Sequence, residues 1–177
     1  MIPVVLLSAC LPLLAQGTLA PYVPSPPEVV ERMLALAGVT RADVVYDLGS
    51  GDGRIPIAAA TLYGARGVGL EIDPRRVVEA RANAKAAGVA HLVDFHEQDV
   101  MTADVRPATV VTLYLLSSSN AKLRPILTAQ LRPGARIVSH AFSMGPGWPP
   151  ARVERFTTAA GDEITLYLWV ADGTIRP

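Results

Sequence analysis

One cysteine, Cys10, in 177 residues rules out an intrachain disulfide framework and a cysteine-based zinc cluster. The three histidines, His91, His96 and His140, fall at no metal-ligand spacing, so no metal is expected. Charge of one sign is missing too. Lys+Arg at 16 balance Asp+Glu at 16, which leaves no global basic field for nucleic acid, and no nucleic-acid partner is expected. Lysine itself is nearly absent, with only Lys85 and Lys122, a bias to which we attach no function. There is no internal repeat and no low-complexity tract. With 50% hydrophobic residues, the composition excludes disorder and collagen, and the length suits one domain with its own core.

Charge is most conspicuously absent at the head of the chain, where the first charged side chain is Glu28 and Ile2–Ala15 reads IPVVLLSACLPLLA. Such a stretch reads as a targeting or anchoring segment. A cleavable signal peptide accounts for the small residues near Ala20, but no basic n-region precedes it. A lipoprotein box at Leu7-Ser8-Ala9-Cys10 has only about six apolar residues before it, short of the usual 7–15. A spanning helix needs about 20 apolar residues, and Pro3, Pro12 and Gln16 interrupt one here. A helix packed on the domain is the fourth reading. The expected organisation is an apolar signal or anchor over 1–20 and one domain over 21–177.

From Ser25 onward, strand and helix patterns alternate. Ser25-Pro26-Pro27-Glu28 has the form of a capping box, opening a helix through Val29, Val30, Met33, Leu34 and Leu36 that stops at Gly38. Val44–Tyr46 is a short buried strand running into Asp47-Leu48-Gly49. A helix over about 54–63 follows, then a strand over 67–71 and a helix capped by Asp73-Pro74 that reaches Ala87. Val93–Gln98 alternates as a third strand. Ala108–Leu116 (ATVVTLYLL) has the unbroken apolarity of a central parallel strand. A helix with Leu123, Ile126, Leu127 and Leu131, a fifth strand over 135–142, and two β-like runs (152–158 and 164–170) about a Gly161-Asp162 turn complete the chain. The expected fold is α/β: a Rossmann-like, mostly parallel sheet with an antiparallel edge. Only Met101–Pro107 separates the third and fourth strands, so that crossover is stunted.

The chemistry concentrates at Asp47-Leu48-Gly49-Ser50-Gly51-Asp52-Gly53. Alternate glycines allow a sharp turn and close approach of a ligand, and helix amides from Arg54 onward can receive an anionic group. A glycine turn alone is shared by every nucleotide-binding sheet. The acids narrow it: two carboxylates repel a pyrophosphate by roughly 1 to 4 kcal/mol at about 4 Å, whereas an ammonium and a sulfonium are attracted. The spacing GxGxG, followed by Arg54-Ile55, also departs from a dinucleotide fingerprint. Both features favour S-adenosylmethionine over NAD. Glu71, 24 residues after Asp47, can accept from ribose hydroxyls, and Asp99 from an adenine amino group, with Ile72 and Val100 flanking the ring.

These residues carry a resemblance. VYDLGSGDGR, GVGLEIDP and EQDV resemble the first three motifs of class I S-adenosylmethionine-dependent methyltransferases. From Pro21-Tyr22-Val23-Pro24-Ser25 to about residue 170, the chain is similar to a small group of protein-lysine methyltransferases that includes those acting on the ATP synthase c subunit and the adenine nucleotide translocase. The resemblance implies a protein-lysine acceptor and a cofactor site of Tyr22, Pro24, Ser25, Asp47, Gly49, Ser50, Gly51, Glu71, Ile72, Asp99 and Val100. Within it, Tyr22, Pro24 and Ser25 close over the cofactor. Mitochondrial members have an apolar segment before the domain, which favours a retained anchor here. Two positions depart from the pattern: Ser25 stands where threonine is expected, and Pro56 where an ordinary helix former is.

Each residue has a plainer role beside the functional one. Ser25 can be only a helix cap, Asp99 only a loop aspartate, and Tyr114 and His140 only core. No base or nucleophile declares itself, and Tyr114 and His140 are the acceptor-side candidates. Met144-Gly145-Pro146-Gly147-Trp148 reads either as an acceptor-side loop or as a surface turn. Leu116-Ser117-Ser118-Ser119-Asn120 lacks the Asn/Asp-Pro-Pro-aromatic turn of enzymes that methylate base amino groups, and Cys10 cannot serve cytosine C5 chemistry. A small-molecule methyltransferase, an NAD-dependent oxidoreductase and a non-catalytic nucleotide-binding module remain as rivals. Because S-adenosylmethionine is made in the cytoplasm, the expected location is a tether through 2–20 with the domain facing the cytoplasm; export after cleavage is the alternative.

Overall fold

A computed structural model describes residues 22–177. The apolar head, and with it the signal, anchor and lipoprotein readings, lies outside the described residues. Among the described residues, no helix is long and apolar enough to cross a membrane.

Seven strands form one sheet: β1 (Val44–Leu48), β2 (Arg66–Glu71), β3 (Val93–Glu97), β4 (Val110–Leu113), β5 (Arg136–His140), β6 (Arg152–Thr157) and β7 (Glu163–Val170). Their order is β3-β2-β1-β4-β5-β7-β6, parallel from β3 through β5 and antiparallel for β5–β7 and β7–β6. The mostly parallel sheet with an antiparallel edge is the expected architecture. The helices are α1 (Pro27–Leu36), α2 (Arg54–Tyr63), α3 (Pro74–Ala86) and α4 (Ser117–Gln130), and the stunted crossover is a single 3-10 turn, Val100–Thr102.

Side chains alternate across the sheet and so build two core layers. On one face, Val45, Val110, Val138 and Leu166 pack against Val29, Val30, Met33 and Leu34 of α1 and Ile55 and Ala59 of α2. On the other, Leu48, Val111, Leu113, Ile137 and Trp169 meet Leu123 and Leu127 of α4. Each fully buried aliphatic contributes about 1.5–3 kcal/mol. A third cluster seats α3 on β3 through Val77, Ala80 and Phe95. Helix α2 lies very close to β2: a Cβ added at Gly67 would sit 2.8 Å from the Pro56 Cβ and 2.9 Å from its carbonyl oxygen. The unusual Pro56 is thus tolerated in the first turn of α2, where no intrahelical amide is lost, and seated by a glycine.

Two expectations need correction, and a third is refined. Ser25 does not cap α1; Pro26 occupies the N-cap position without a side-chain bond. The fourth strand is shorter than its apolar run, because Thr109 turns to bond Asp43 (2.7 Å) and Leu116 becomes the N-cap of α4. The loop 144–148 is a turn with an exposed tip at Pro146-Gly147, as one of its two readings had it, but its ends are anchored in the core. Met144 and Trp148 are buried in the α4-side core, and the Trp169 indole donates to the Trp148 carbonyl at 2.8 Å.

Candidate functional site

The strand order reverses between β1 and β4, and a cleft of about 460 Å³ opens there, outside the carboxyl ends of the parallel strands. That is where ligands bind in open α/β sheets, and the volume lies in the usual range for small-molecule sites. All eleven residues expected to hold the cofactor line it: Tyr22, Pro24, Ser25, Asp47, Gly49, Ser50, Gly51, Glu71, Ile72, Asp99 and Val100. Of the acceptor-side candidates, Tyr114 lines its inner end and His140 lies behind Tyr114, the two rings 3.9 Å apart.

Gly49, Gly51 and Gly53 all sit at positive φ (87°, 51° and 81°), the region where a side chain is strained. The turn is therefore locked by its sequence. It is held from below by Glu71, whose Oε2 accepts from the Gly51 amide and whose Oε1 accepts from the Asp73 amide, both at 2.9 Å. From above, the Tyr22 ring covers Gly51 so closely that a Cβ there would lie 2.5 Å from Tyr22 Cε2. Tyr22 in turn lies under the Arg76 guanidinium at 3.7 Å, and the Ser25 carbonyl accepts from Arg54 at 2.8 Å.

The electrostatics sharpen the charge argument. Asp52, one of the two acids credited with repelling pyrophosphate, is compensated: Arg54 pairs with it at 2.6 Å. Burial works to raise the Asp52 carboxyl, and the bonds and charge of Arg54 outweigh it, leaving it below its ordinary value. Asp73 is likewise paired with Arg75. The cleft carboxylates without an ion pair among the described residues are Asp47, Glu71 and Asp99, the three acids placed at strand ends by the sequence. Asp99 also caps the 3-10 turn, accepting from the Met101 amide at 2.9 Å, which is its plainer role, while it lines the cleft.

Asp47 is the most perturbed group. The register sets it opposite Thr112, which donates to it at 2.7 Å. It is 3% exposed, and burial raises its carboxyl to about 7; the Thr112 bond opposes this, while the charges of Glu71 and Asp52 add to it. A buried carboxyl that ionises reluctantly and has no cationic partner is suited to a cationic ligand. Beside it the Ser50 hydroxyl is buried with no hydrogen-bond partner. An orphaned hydroxyl, a glycine cradle and uncompensated acids fit a small polar cation carrying an adenosine. No cluster of three or more metal-ligating side chains occurs among the described residues.

Sequence reasoning missed Arg54, Gln98, Met101 and Leu115, which also line the cleft. Gln98 and Met101 adjoin the residues flagged there, so proximity to the motif was a usable signal. Leu115 carried none beyond its apolar run.

Fold and cleft together define a class, the Rossmann-like S-adenosylmethionine-dependent methyltransferases. Residues 47–152 match the profile of the ANTKMT methyltransferase domain, and the chain belongs to that family. It is 43% identical over 151 residues to a protein-lysine N-methyltransferase of Saccharolobus islandicus, covering 85% of this chain and 92% of the relative. It is 37% identical to the adenine nucleotide translocase lysine N-methyltransferase of Mus musculus, over 75% of this chain and 57% of that protein, so the chain spans little more than half of the mouse relative. Among solved structures, an RNA methyltransferase from Salinibacter ruber in complex with S-adenosyl-L-homocysteine is similar at 57% identity. Its TM-score is 0.80, and the match covers 86% of this chain and 96% of that one.

Proposed function

We propose that this chain transfers a methyl group from S-adenosylmethionine to the ε-amine of a lysine in a protein. The observation that carries the cofactor reading is the meeting of three carboxylates without ion pairs, Asp47, Glu71 and Asp99, around one glycine turn. When bound, S-adenosylmethionine supplies an electrophilic methyl on a sulfonium. The chain's part is then to hold, orient and exclude water. Asp47 would face the cationic methionine end, where burial strengthens a charge pair. Glu71 would take the ribose hydroxyls, Asp99 the adenine amino group, and Ile72 and Val100 the ring faces. Tyr22, Pro24 and Ser25 would cover the bound molecule. An amine attacks only when neutral, and lysine starts from a pKa of about 10.4, so burial against Tyr114 serves to lower it.

The lysine is supported by the names of the Saccharolobus and mouse relatives. A second reading, an RNA acceptor, is favoured by the name of the Salinibacter structure at 57% identity. One experiment separates them: incubate the chain with methyl-labelled S-adenosylmethionine and a cell lysate, then count label in protein, RNA and small-molecule fractions. Label recovered as methyl-lysine supports the proposal. Label confined to RNA or to the small-molecule extract overturns it. We also propose that residues 1–20 tether a cytoplasm-facing domain, a reading supported by the apolar run and by where the cofactor is made. A mature chain cleaved near Ala20 and recovered outside the membrane would overturn that.

A further inference from the structure

Ser25 has the chemistry of a helix cap and the right place for one, yet it leaves α1 without a side-chain cap. Its hydroxyl is spent elsewhere: Ser25 Oγ and His140 Nδ1 share a 3.0 Å hydrogen bond across 115 residues of sequence, and both residues are buried. The other face of the same imidazole stacks on Tyr114, centroids 3.9 Å apart and planes 27° off parallel. We propose that His140 is a positioning residue of the methyl transfer: bonded to Ser25 and stacked on Tyr114, it makes closure of the 22–25 cover and placement of the acceptor-side ring one event. The inference rests on the reading of the cleft as the cofactor site.

Two further features hold the imidazole at this junction. Ala141 has φ 63°, the only non-glycine positive φ among the described residues, and the Phe142 amide donates back to the His140 carbonyl at 2.8 Å. This is a γ-turn of the strained, positive-φ kind, and strain of this sort persists only where the surroundings over-determine it. Here they do. The Ala141 amide donates to the Thr165 carbonyl at 2.8 Å, and the Phe142 carbonyl accepts from Ser139 Oγ at 2.6 Å and Asn120 Nδ2 at 3.0 Å. The turn ends β5 at His140 and brings the Phe142 ring beside Tyr114 as well, centroids 6.3 Å apart. On the cover side, the Ser25 carbonyl is held by Arg54, and Arg54 by Asp52 in the glycine turn. A continuous chain of contacts thus runs from the glycine turn through Arg54, Ser25 and His140 to Tyr114. Burial lowers His140 to about 4, so the imidazole is neutral at physiological pH and links the two sides without carrying charge.

The test uses the full chain and three substitutions. Ser25→Ala and His140→Phe each remove the bond, the second keeping an aromatic ring for Tyr114; Ser25→Thr keeps the hydroxyl. Calorimetric titration with S-adenosylmethionine, thermal unfolding, and label transfer into lysate protein at saturating S-adenosylmethionine are measured for each. The expected result is about 3- to 10-fold weaker cofactor binding for Ser25→Ala and for His140→Phe, the scale of one buried hydrogen bond. The double variant should be no weaker than the worse single, Ser25→Thr should return to within about twofold of wild type, and the transfer rate at saturation should fall with the affinity. Variants that unfold at lower temperature but keep wild-type affinity and rate would reduce His140 to packing and overturn the proposal, as would a double variant showing the product of the two single losses. A wild-type chain that binds S-adenosylmethionine but labels no protein overturns the lysine reading alone, and the affinity pattern still decides the latch.

Discussion

The two sides of the cleft differ in what fixes their central group. On the cofactor side, between β1 and β3, the glycine turn is held mostly by residues close in sequence, Glu71 to Gly51 across 20 positions, Arg54 to Asp52 across two and Asp99 to Met101 across two, with Thr112 to Asp47 across 65 and Arg54 to Ser25 across 29 as longer ties. On the acceptor side, beyond β4, the bond that fixes the imidazole is long, Ser25 to His140 across 115 positions, while the turn beneath it is tied by Ser139 to Phe142 across three and Asn120 to Phe142 across 22. The cofactor side draws its shape from backbone that only glycine adopts freely, the acceptor side from one strained alanine that its neighbours hold in place. A site fixed by local backbone can take the same ligand wherever the motif recurs. A site assembled at long range can change its acceptor by altering any of several distant segments.

The difference can be tested first where it is largest. Asp47→Asn should weaken S-adenosylmethionine binding on the order of 100-fold, because a charged hydrogen bond is lost in a buried place. The fold should survive. The native Asp47 carboxyl titrates at about 7, above its unfolded value near 3.8, so its contribution to stability is complete below about pH 4 and lost as pH rises through 7. At pH 8 the asparagine variant should therefore melt no lower than wild type. A lower melting temperature with unchanged affinity would make Asp47 a purely structural acid.

The same group gives a pH signature. Cofactor binding needs the ionised carboxylate, so affinity should rise about tenfold between pH 6 and pH 8 and flatten above, and Asp47→Asn should show no such rise. Calorimetry across that range decides it. Gly51→Ala comes next. It imposes a side chain at φ 51° and against the Tyr22 ring, a strain of about 1–2 kcal/mol that should cost about tenfold in cofactor affinity; normal affinity would show the cover to be loose. The smallest effect belongs to the acceptor side. Ala141→Gly relieves a positive φ and should raise stability by about 1 kcal/mol, read from denaturant unfolding. No gain would mean that the turn carries no strain.

What the sequence made legible follows the same division. Strand and helix alternation, the antiparallel edge and the stunted crossover were readable because periodicity and glycine-proline punctuation are local signals. The glycine turn and the strand-end acids Asp47, Glu71 and Asp99 were readable for the same reason, while Tyr22, Pro24 and Ser25 came from the family resemblance; all line the cleft. Ser25 was misread as a cap because its competing partner, His140, is invisible to any window around it. For the loop 144–148 the glycines and prolines announced the turn, while the burial of Met144 and Trp148 at its ends depends on α4 and β7 and left no local signal. Asp52 was read as a free charge because Arg54, two residues on, was not weighed as its partner.

The contact between Gly67 and Pro56 has a consequence for how sequences of this kind can diverge. The first turn of α2, pressed on a strand residue with no side chain, makes position 67 answer to the path of the helix backbone. Enlarging residue 67 while Pro56 stays meets backbone at 2.9 Å, so that first step is barred. Replacing Pro56 removes only its ring, because the carbonyl oxygen at 2.9 Å and the Cα at 3.0 Å are backbone that any residue supplies. A library would therefore record position 67 as fixed whether it is varied alone or together with position 56, and only sequences that move α2 away from β2 would open it.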